Sequence, residues 1–355
     1  MPSNKKDDYR LLCQLLNPFT EKGFECPPET NWPILWEIAD QTHCLSELHQ
    51  SIERLDLAHQ LPEEMICASA EIHQSVQLRC ELLRDQLYEI NAALNQGGIT
   101  PVWLKGASIL LRDDWQDHAR LMNDLDFWIP QDEEQTKALK ILDDLGYRVK
   151  NTTQDDAWED SHHYAPRMHP ERLATIEIHR HLIRPDFAEL LPDADTLKNM
   201  EWRTWQSQKV GILTLEDRMT HSLIQCSVMA SPPLESGFIR LMKVVDLLRL
   251  LAQSGNKQLP EKIIQRIQGT PFEFEISAFL TLLERDFSIR NPFSPNREYC
   301  QRVDKNHFTD QALTSWLRAK SFQAPVSWRN FLKNPRLWPT KIMFRLKMLF
   351  GQRVI

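Results

Sequence analysis

Apolar residues recur at intervals of three and four positions through most of the N-terminal region, which is the spacing of one helix face. The pattern begins in NWPILWEIADQTHCLSELHQSIERL, where Asn31 precedes a Trp-Pro pair and is typical of a helix N-cap. A second periodic stretch starts at Pro62 and ends at a pair of glycines, which favour a helix end. Residues 1–97 are therefore predicted to form an N-terminal helical region.

The pattern becomes mixed between residues 98 and 190. Short apolar runs in ITPVWLK and LDFWIP predict strands, and Asp132–Leu145 has the spacing of an amphipathic helix. Two further short strands are expected at 147–150 and in SHHYAPRMH, the latter at a sheet edge because Pro166 cannot donate to a ladder. LATIEIHRHLI is the last clear strand. This order predicts an α+β fold with a small mixed sheet and helices on one side.

Helical spacing returns from about residue 212, so residues 191–310 are predicted to form a C-terminal helical region. Thr214 and Asp217 have the spacing of a capping box at the start of one of its helices. Residues 311–355 contain no acids and interleave Lys and Arg with Trp and Phe. Peripheral contact of this basic aromatic tail with an anionic membrane surface or a phosphate-rich partner is one expectation, and packing on the body of the protein is the other.

Composition restricts the classes of protein that are compatible with this pattern. The chain has 355 residues, of which 42% are hydrophobic and 26% charged, a balance typical of globular proteins. The formal net charge of −7 gives no reason to expect nucleic acid as an obligate partner. Seven scattered cysteines without a CxxC pair, no N-terminal apolar core and no run of about 18 apolar residues predict a cytoplasmic protein with reduced thiols.

The strongest chemical pattern lies on the second predicted strand. Asp124 and Asp126 alternate with apolar residues, so their carboxylates share one face, roughly 7 Å apart along the strand. Paired carboxylates are natural ligands of Mg²⁺ or Mn²⁺. Upstream, Lys105-Gly106 forms a predicted turn before a helix, where free backbone N–H groups favour phosphate. No Walker P-loop, GxSxG elbow or GxGxxG stretch is present.

The two segments Leu104-Lys105-Gly106 and Arg120-Leu121-Met122-Asn123-Asp124-Leu125-Asp126 together resemble motifs of a known family. It is a poorly characterised bacterial branch of the nucleotidyltransferase superfamily related to DNA polymerase beta. Asn123 stands where that family usually has Ser. The resemblance implies a nucleotidyltransferase core at residues 98–190.

The resemblance also implies a set of site residues. Glu177, between two isoleucines, has the pattern of the superfamily's third acidic strand, so Asp124, Asp126 and Glu177 are expected to bind metal and act in catalysis. Phosphate contacts are expected from Lys105, Gly106, Ser108 and Arg120, and a substrate or supporting role from His179. For Arg120, an ion pair with Asp124 or Asp117 is the alternative. If Glu177 completes the site, its strand must neighbour that of the Asp pair, and crowding must raise at least one pKa.

The reaction that the resemblance implies moves a nucleoside monophosphate from an NTP to an acceptor hydroxyl, with Mg²⁺ or Mn²⁺ and with release of pyrophosphate. The acidic net charge favours a small molecule or a protein over nucleic acid as the acceptor. One alternative is a non-catalytic nucleotide-binding or interaction protein with the same fold. A second is a zinc-dependent hydrolase, because several histidines surround Glu177 in sequence: His162, His163, His169, His179 and His181.

Overall fold

The computed structural model describes residues 5–149, 161–229 and 240–293, which cluster into two compact units. The first unit contains the described residues up to 75 and from 222 onward, and the second contains those from 76 to 221. The chain passes from one unit to the other within two of its helices. Within the described parts of the chain, no helix is both long and apolar enough to cross a membrane.

The first unit is helical. Asn31 caps its second helix as predicted, because its side chain accepts a hydrogen bond from the N–H of Ile34 at 3.3 Å. The apolar spacing continues into the third helix, but the chain turns between them at His43, which has a φ of 60°. Its helices are α1 (Lys5–Leu16), α2 (Trp32–Gln41), α3 (Leu45–Leu55), α9 (Leu241–Gln253), α10 (Glu261–Ile267) and α11 (Glu273–Phe287).

Two helices contribute to both units. Helix α4 (Glu63–Gln96) matches the long helix predicted after Pro62, and α8 (Leu215–Ile224) follows Thr214. Thr214 caps α8 as predicted: the Asp217 N–H donates to Thr214 Oγ1 at 3.1 Å, and the Thr214 hydroxyl donates to the Asp217 carboxylate at 2.8 Å.

The second unit is organised around a mixed seven-stranded sheet, as far as the described residues go. Its strand order is β3-β4-β5-β2-β1-β7-β6, with β2–β5 and β1–β7 parallel and the other neighbours antiparallel. The predicted α+β fold is thereby confirmed. The strands are β1 (Val102–Trp103), β2 (Asp124–Trp128), β3 (Arg148–Val149), β4 (Arg167–Met168), β5 (Thr175–His179), β6 (Glu201–Trp205) and β7 (Gln208–Ile212), and the shorter helices are α5 (Ala107–Leu110), α6 (Asp132–Asp144) and α7 (Asp193–Asn199).

One face of this sheet is apolar and packs against α4 and α6. Leu125 and Phe127 from β2, and Ile176 and Ile178 from β5, are at most 1% exposed and belong to one apolar cluster with residues of both helices. Because successive strand residues point to opposite faces, the acids that alternate with these positions are directed to the other face. Burial of the apolar set therefore determines on which side Asp126 and Glu177 lie.

The sheet extends beyond the range 98–190 that the sequence analysis gave to the core. Strands β6 and β7 form a hairpin in residues 201–212, and β7 pairs with β1, so LATIEIHRHLI is not the last strand. β4 is also not at the edge, because β3 pairs with its outer side. The domain limits stay predictions, and the tail 311–355 lies outside the described residues.

Candidate active site

Parallel pairing of β2 with β5 brings two of the predicted acids side by side. Asp126 is in register with Glu177, and Asp124 with Thr175. Ligand atoms of Asp126, Glu177 and His179 all lie within 4.8 Å of one another. Glu177 therefore lies on the strand next to the acid pair and on the same face as Asp126, where the sequence analysis expected it.

Asp126 is the centre of this group. Its residue is 2% exposed, and one carboxylate oxygen, Oδ1, accepts hydrogen bonds from Lys105 Nζ at 2.5 Å and from His179 Nε2 at 2.9 Å. Because the carboxylate is the acceptor, the proton of neutral His179 is on Nε2. The other ring nitrogen, Nδ1, is buried and has no hydrogen-bond partner among the residues that the structure describes.

The register of β1 explains how Lys105 reaches the acid. β1 runs antiparallel to β2, and the ladder continues past it with a hydrogen bond of 3.0 Å from the Leu104 N–H to the Asp126 carbonyl. Lys105 then adopts a φ of 49°, the left-handed region that few side chains favour. This turn directs the ammonium group back over β2, where 23% of the side chain stays exposed.

The charges in this group balance without another cation. Burial raises the pKa of Asp126, but the charge of Lys105 and the hydrogen bond from His179 outweigh it, so the pKa lies well below its usual value. Burial, followed by the charge of Asp126, raises the pKa of Glu177 to about 8. Burial lowers the pKa of His179 to about 4. At neutral pH the Asp126–Lys105 pair is therefore charged, whereas Glu177 and His179 are neutral.

Asp124 lies beside this group at the open end of β2. The residue is exposed, unlike Asp126, although desolvation of its carboxyl and then the charge of Asp126 raise its pKa. The group of close ligand atoms thus consists of Asp126, Glu177 and His179, whereas the sequence analysis expected Asp124 as its third member. Two carboxylates suit Mg²⁺ or Mn²⁺, and the imidazole favours Mn²⁺ over Mg²⁺. If Nε2 binds the ion, its proton must move to Nδ1, which is buried and has no acceptor among the described residues, so this role of His179 carries a cost in free energy.

The Lys105-Gly106 turn holds Arg120 against the site. A Cβ added to Gly106 would lie 2.5 Å from Met122 Sδ and 2.6 Å from Arg120 Nη2, so only glycine allows this approach. Arg120 is buried, donates to the Leu121 carbonyl at 3.0 Å, and its charge is one of the influences that lower the pKa of Asp124.

The helix that follows Gly106 differs from the expectation. α5 is a single turn, Ala107–Leu110, so its dipole offers a phosphate little attraction. Ser108 is buried, and its hydroxyl donates to the Lys105 carbonyl at 2.8 Å, which engages the hydroxyl proton locally. A phosphate placed near this turn would therefore be attracted chiefly by the charged groups of Lys105 and Arg120.

Substituting alanine for Gly106 is expected to lower the free energy of unfolding by roughly 1–3 kcal/mol, because Arg120 and Met122 must move. Urea denaturation measures this effect. Ser108→Ala serves as the control, since it removes one local hydrogen bond and adds no atom to the turn. Equal stability of Gly106→Ala and the unsubstituted protein would contradict the close approach.

The five histidines considered for zinc separate into different places. The rings of His162, His163 and His179 have centroids 4.7–5.6 Å apart. In contrast, His181 pairs with Asp193 at 2.8 Å, and His169 packs on a tyrosine ring. In the described residues, the one group of three close ligand atoms holds two acids and one histidine, which does not favour the zinc hydrolase.

The sequence analysis gave no site role to one further histidine. His221 of α8 is buried, and its Nε2 donates to the Leu182 carbonyl at 3.1 Å. Burial, followed by the charge of Lys105, lowers the pKa of His221 to about 3, and burial lowers the pKa of His162 to about 2. Neutral rings therefore surround the Lys105–Asp126 pair. The sequence signal for His221 is its position on the helix that Thr214 caps.

Comparison with known proteins gives one finding. No curated protein and no solved structure matches the chain. The model of a family described as uncharacterised nucleotidyltransferases matches residues 28–286, a range that includes every site residue discussed above. Since this range is well over half of the chain, the protein belongs to that family of uncharacterised nucleotidyltransferases.

Proposed function

We propose that the protein transfers a nucleoside monophosphate from an NTP to the hydroxyl of an acceptor, with release of pyrophosphate. The observation that carries this proposal is the parallel register of Asp126 with Glu177 on one sheet face, with Asp124 at the open end of the same strand. In a nucleotidyltransferase, carboxylates in this arrangement serve phosphoryl chemistry, which needs charge neutralisation and an activated hydroxyl.

Asp124, Asp126 and Glu177 would hold Mg²⁺ or Mn²⁺, with His179 as a further donor, and the ion would neutralise charge on the phosphates. With the ion bound beside it, Glu177 would be ionised, and it would accept the proton of the acceptor hydroxyl as the new oxygen–phosphorus bond forms at the α-phosphate. The bond between the α- and β-phosphates breaks, and pyrophosphate leaves with its negative charge near Lys105 and Arg120. Lys105 is suited to this task because its ammonium already lies at the acids.

Incubation of the purified chain and a cell lysate with each NTP, labelled on the α-phosphate, tests the proposal. We expect label to appear on an acceptor in the presence of Mg²⁺ or Mn²⁺, and none to appear with label on the γ-phosphate. A chain with Glu177→Gln is the control, since it keeps the shape of the side chain and loses the base. Transfer of γ-label would indicate a phosphotransferase and overturn the proposal.

A specific observation favours a second candidate, a nucleotide-binding protein without turnover. Lys105 already neutralises Asp126, the most buried acid of the site. Under this alternative, NTP binds to the purified chain but α-label is never transferred. The acceptor, the cytoplasmic location and membrane contact through residues 311–355 stay predictions.

A further inference from the structure

Three arginines of the second unit come together from separate elements. Arg112 follows α5, Arg203 lies in β6 and Arg218 lies in α8. Arg203 Nη2 donates to the carbonyl of Leu111 at 3.4 Å, so it lies beside the backbone of Arg112. Arg218 is within electrostatic range of both other arginines and of Glu201.

These guanidinium groups have fewer carboxylate partners than their charges require. Arg112 binds both oxygens of Asp114, each at 2.6 Å. Arg203 is exposed, and the one hydrogen bond of its side chain to a described residue is that to the Leu111 carbonyl. The Arg218 guanidinium makes no hydrogen bond or ion pair with any described residue, although its Nε is buried. A partly buried guanidinium without an acceptor costs free energy, which indicates a role other than stabilising the fold.

The electrostatics of Arg218 agree with this geometry. Burial lowers its pKa, and the charges of Arg112 and Arg203 lower it further, whereas Glu201 acts in the opposite direction. The charges of Arg112, Arg203 and Glu201 thus all act on Arg218, and Asp114 is bound to Arg112. An added anion would relieve both the mutual repulsion and the unfilled hydrogen-bonding capacity.

Two short elements connect this group to the acids. Arg112 lies two residues after the end of α5, which begins at the Lys105-Gly106 turn. Arg218 lies one helical turn before His221, and His221 is within electrostatic range of Lys105 and His179. A ligand held by the arginines therefore lies near the segment that carries Lys105.

We propose that Arg112, Arg203 and Arg218 form a binding site for a phosphate group of a substrate. This inference rests on the proposed function, since such a reaction needs anionic substrates. A planar guanidinium group can donate to two phosphate oxygens at once. Three arginines are therefore better suited to bind one phosphate group than three lysines would be. The phosphate belongs either to the β- and γ-positions of the NTP or to a phosphorylated acceptor.

Binding of inorganic pyrophosphate to the full chain, measured by calorimetry without metal, tests the site. We expect Arg218→Gln to weaken binding at least tenfold, while Arg218→Lys weakens it less because the charge is kept. Without pyrophosphate, Arg218→Gln is expected to melt at the same temperature or higher, since it removes a charge that has no partner. Arg148→Gln, on exposed strand β3, is the control and should bind like the unsubstituted chain.

Binding of an NTP analogue distinguishes the two possible sources of the phosphate, and a second arginine variant serves as a check. If the site holds the NTP, Arg218→Gln weakens binding of a non-hydrolysable NTP as well, whereas an acceptor site leaves that affinity unchanged. Unchanged pyrophosphate affinity in Arg218→Gln would overturn the inference, and Arg203→Gln repeats the test should Arg218→Gln fail to fold. The pyrophosphate measurement does not depend on turnover. If binding depends on Arg218 but no α-label is transferred in the assay with NTP, the proposed function is wrong and the phosphate site remains supported.

Discussion

Replacing Asp126 with asparagine is expected to abolish nucleotidyl transfer and to destabilise the fold at the same time. An amide cannot supply the negative charge that a divalent cation or Lys105 needs. The substitution also leaves Lys105 beside a neutral group at a site where Asp126 is only 2% exposed. We expect a loss of roughly 2–4 kcal/mol in the free energy of unfolding, less than for a fully buried pair because Lys105 is partly exposed.

A double-mutant cycle with Lys105→Met separates the two effects. Lys105→Met alone leaves the Asp126 charge without its partner and should also destabilise the protein. The combined variant removes both charges and should recover most of the stability. Transfer of α-label should stay absent in the combined variant. Strict additivity of the two stability losses would show that the pair does not interact in solution.

Replacing Glu177 with glutamine is expected to stop transfer while stabilising the metal-free protein above pH 6.5. Loss of a general base lowers the rate by about 10²–10⁴-fold. The pKa of Glu177 is raised from 4.5 to about 8 in the folded protein, so the folded state binds more protons than the unfolded state between these values. Its contribution to stability is therefore present at low pH and is lost as the pH rises toward 8. Glutamine resembles the protonated acid and has no such loss.

Denaturation in EDTA from pH 6 to 9 measures this difference. Burial lowers the pKa values of His162, His179 and His221, so their unfolded forms bind more protons than the folded ones near pH 6.5, but this slope is common to both proteins and cancels in their difference. Relative to Glu177→Gln, the unsubstituted protein should lose up to roughly 1.4 kcal/mol for each pH unit between 6.5 and 8. Glu171→Gln, at an exposed loop position, is the control. Parallel stability curves for the protein and Glu177→Gln would refute the raised pKa.

Elements with strong local patterns could be predicted from the sequence. The apolar periodicity of α4 and the side-chain caps at Asn31 and Thr214 each depend on residues close in the chain. The alternation of acids with apolar residues in β2 and β5 likewise predicted which face each side chain occupies. In all these cases, the residues that decide the structure lie within one or two turns, or within one strand.

The β6–β7 hairpin was missed for a local reason. Its turn residues, Gln206 and Ser207, have φ values of 46° and 67°, which are usually supplied by asparagine and glycine. Without those residues the turn gives no recognisable sequence pattern. Charged and aromatic residues in EWRTWQSQKVGI also obscure the alternation, since most of β6 is exposed.

The contacts of Lys105 could not be predicted for a different reason. Its ion pair with Asp126 depends on the antiparallel register of β1 with β2 and on a left-handed lysine, neither of which has a sequence pattern. The same holds for Arg112, Arg203 and Arg218, because three separate elements must pack before the arginines meet. Residue types indicated the chemistry of the site, whereas the fold decides which groups neutralise one another.

The central position of β1 has a consequence for synthesis of the protein on the ribosome. β1 lies between β2 and β7, and Val102 pairs with Gly211 far along the chain. While the chain is being translated, one edge of β1 therefore has no partner strand until the hairpin of β6 and β7 has emerged. An open edge of this kind invites pairing with other nascent chains. We therefore expect the lysine-bearing turn after β1 to acquire its final position late, once translation has passed residue 212.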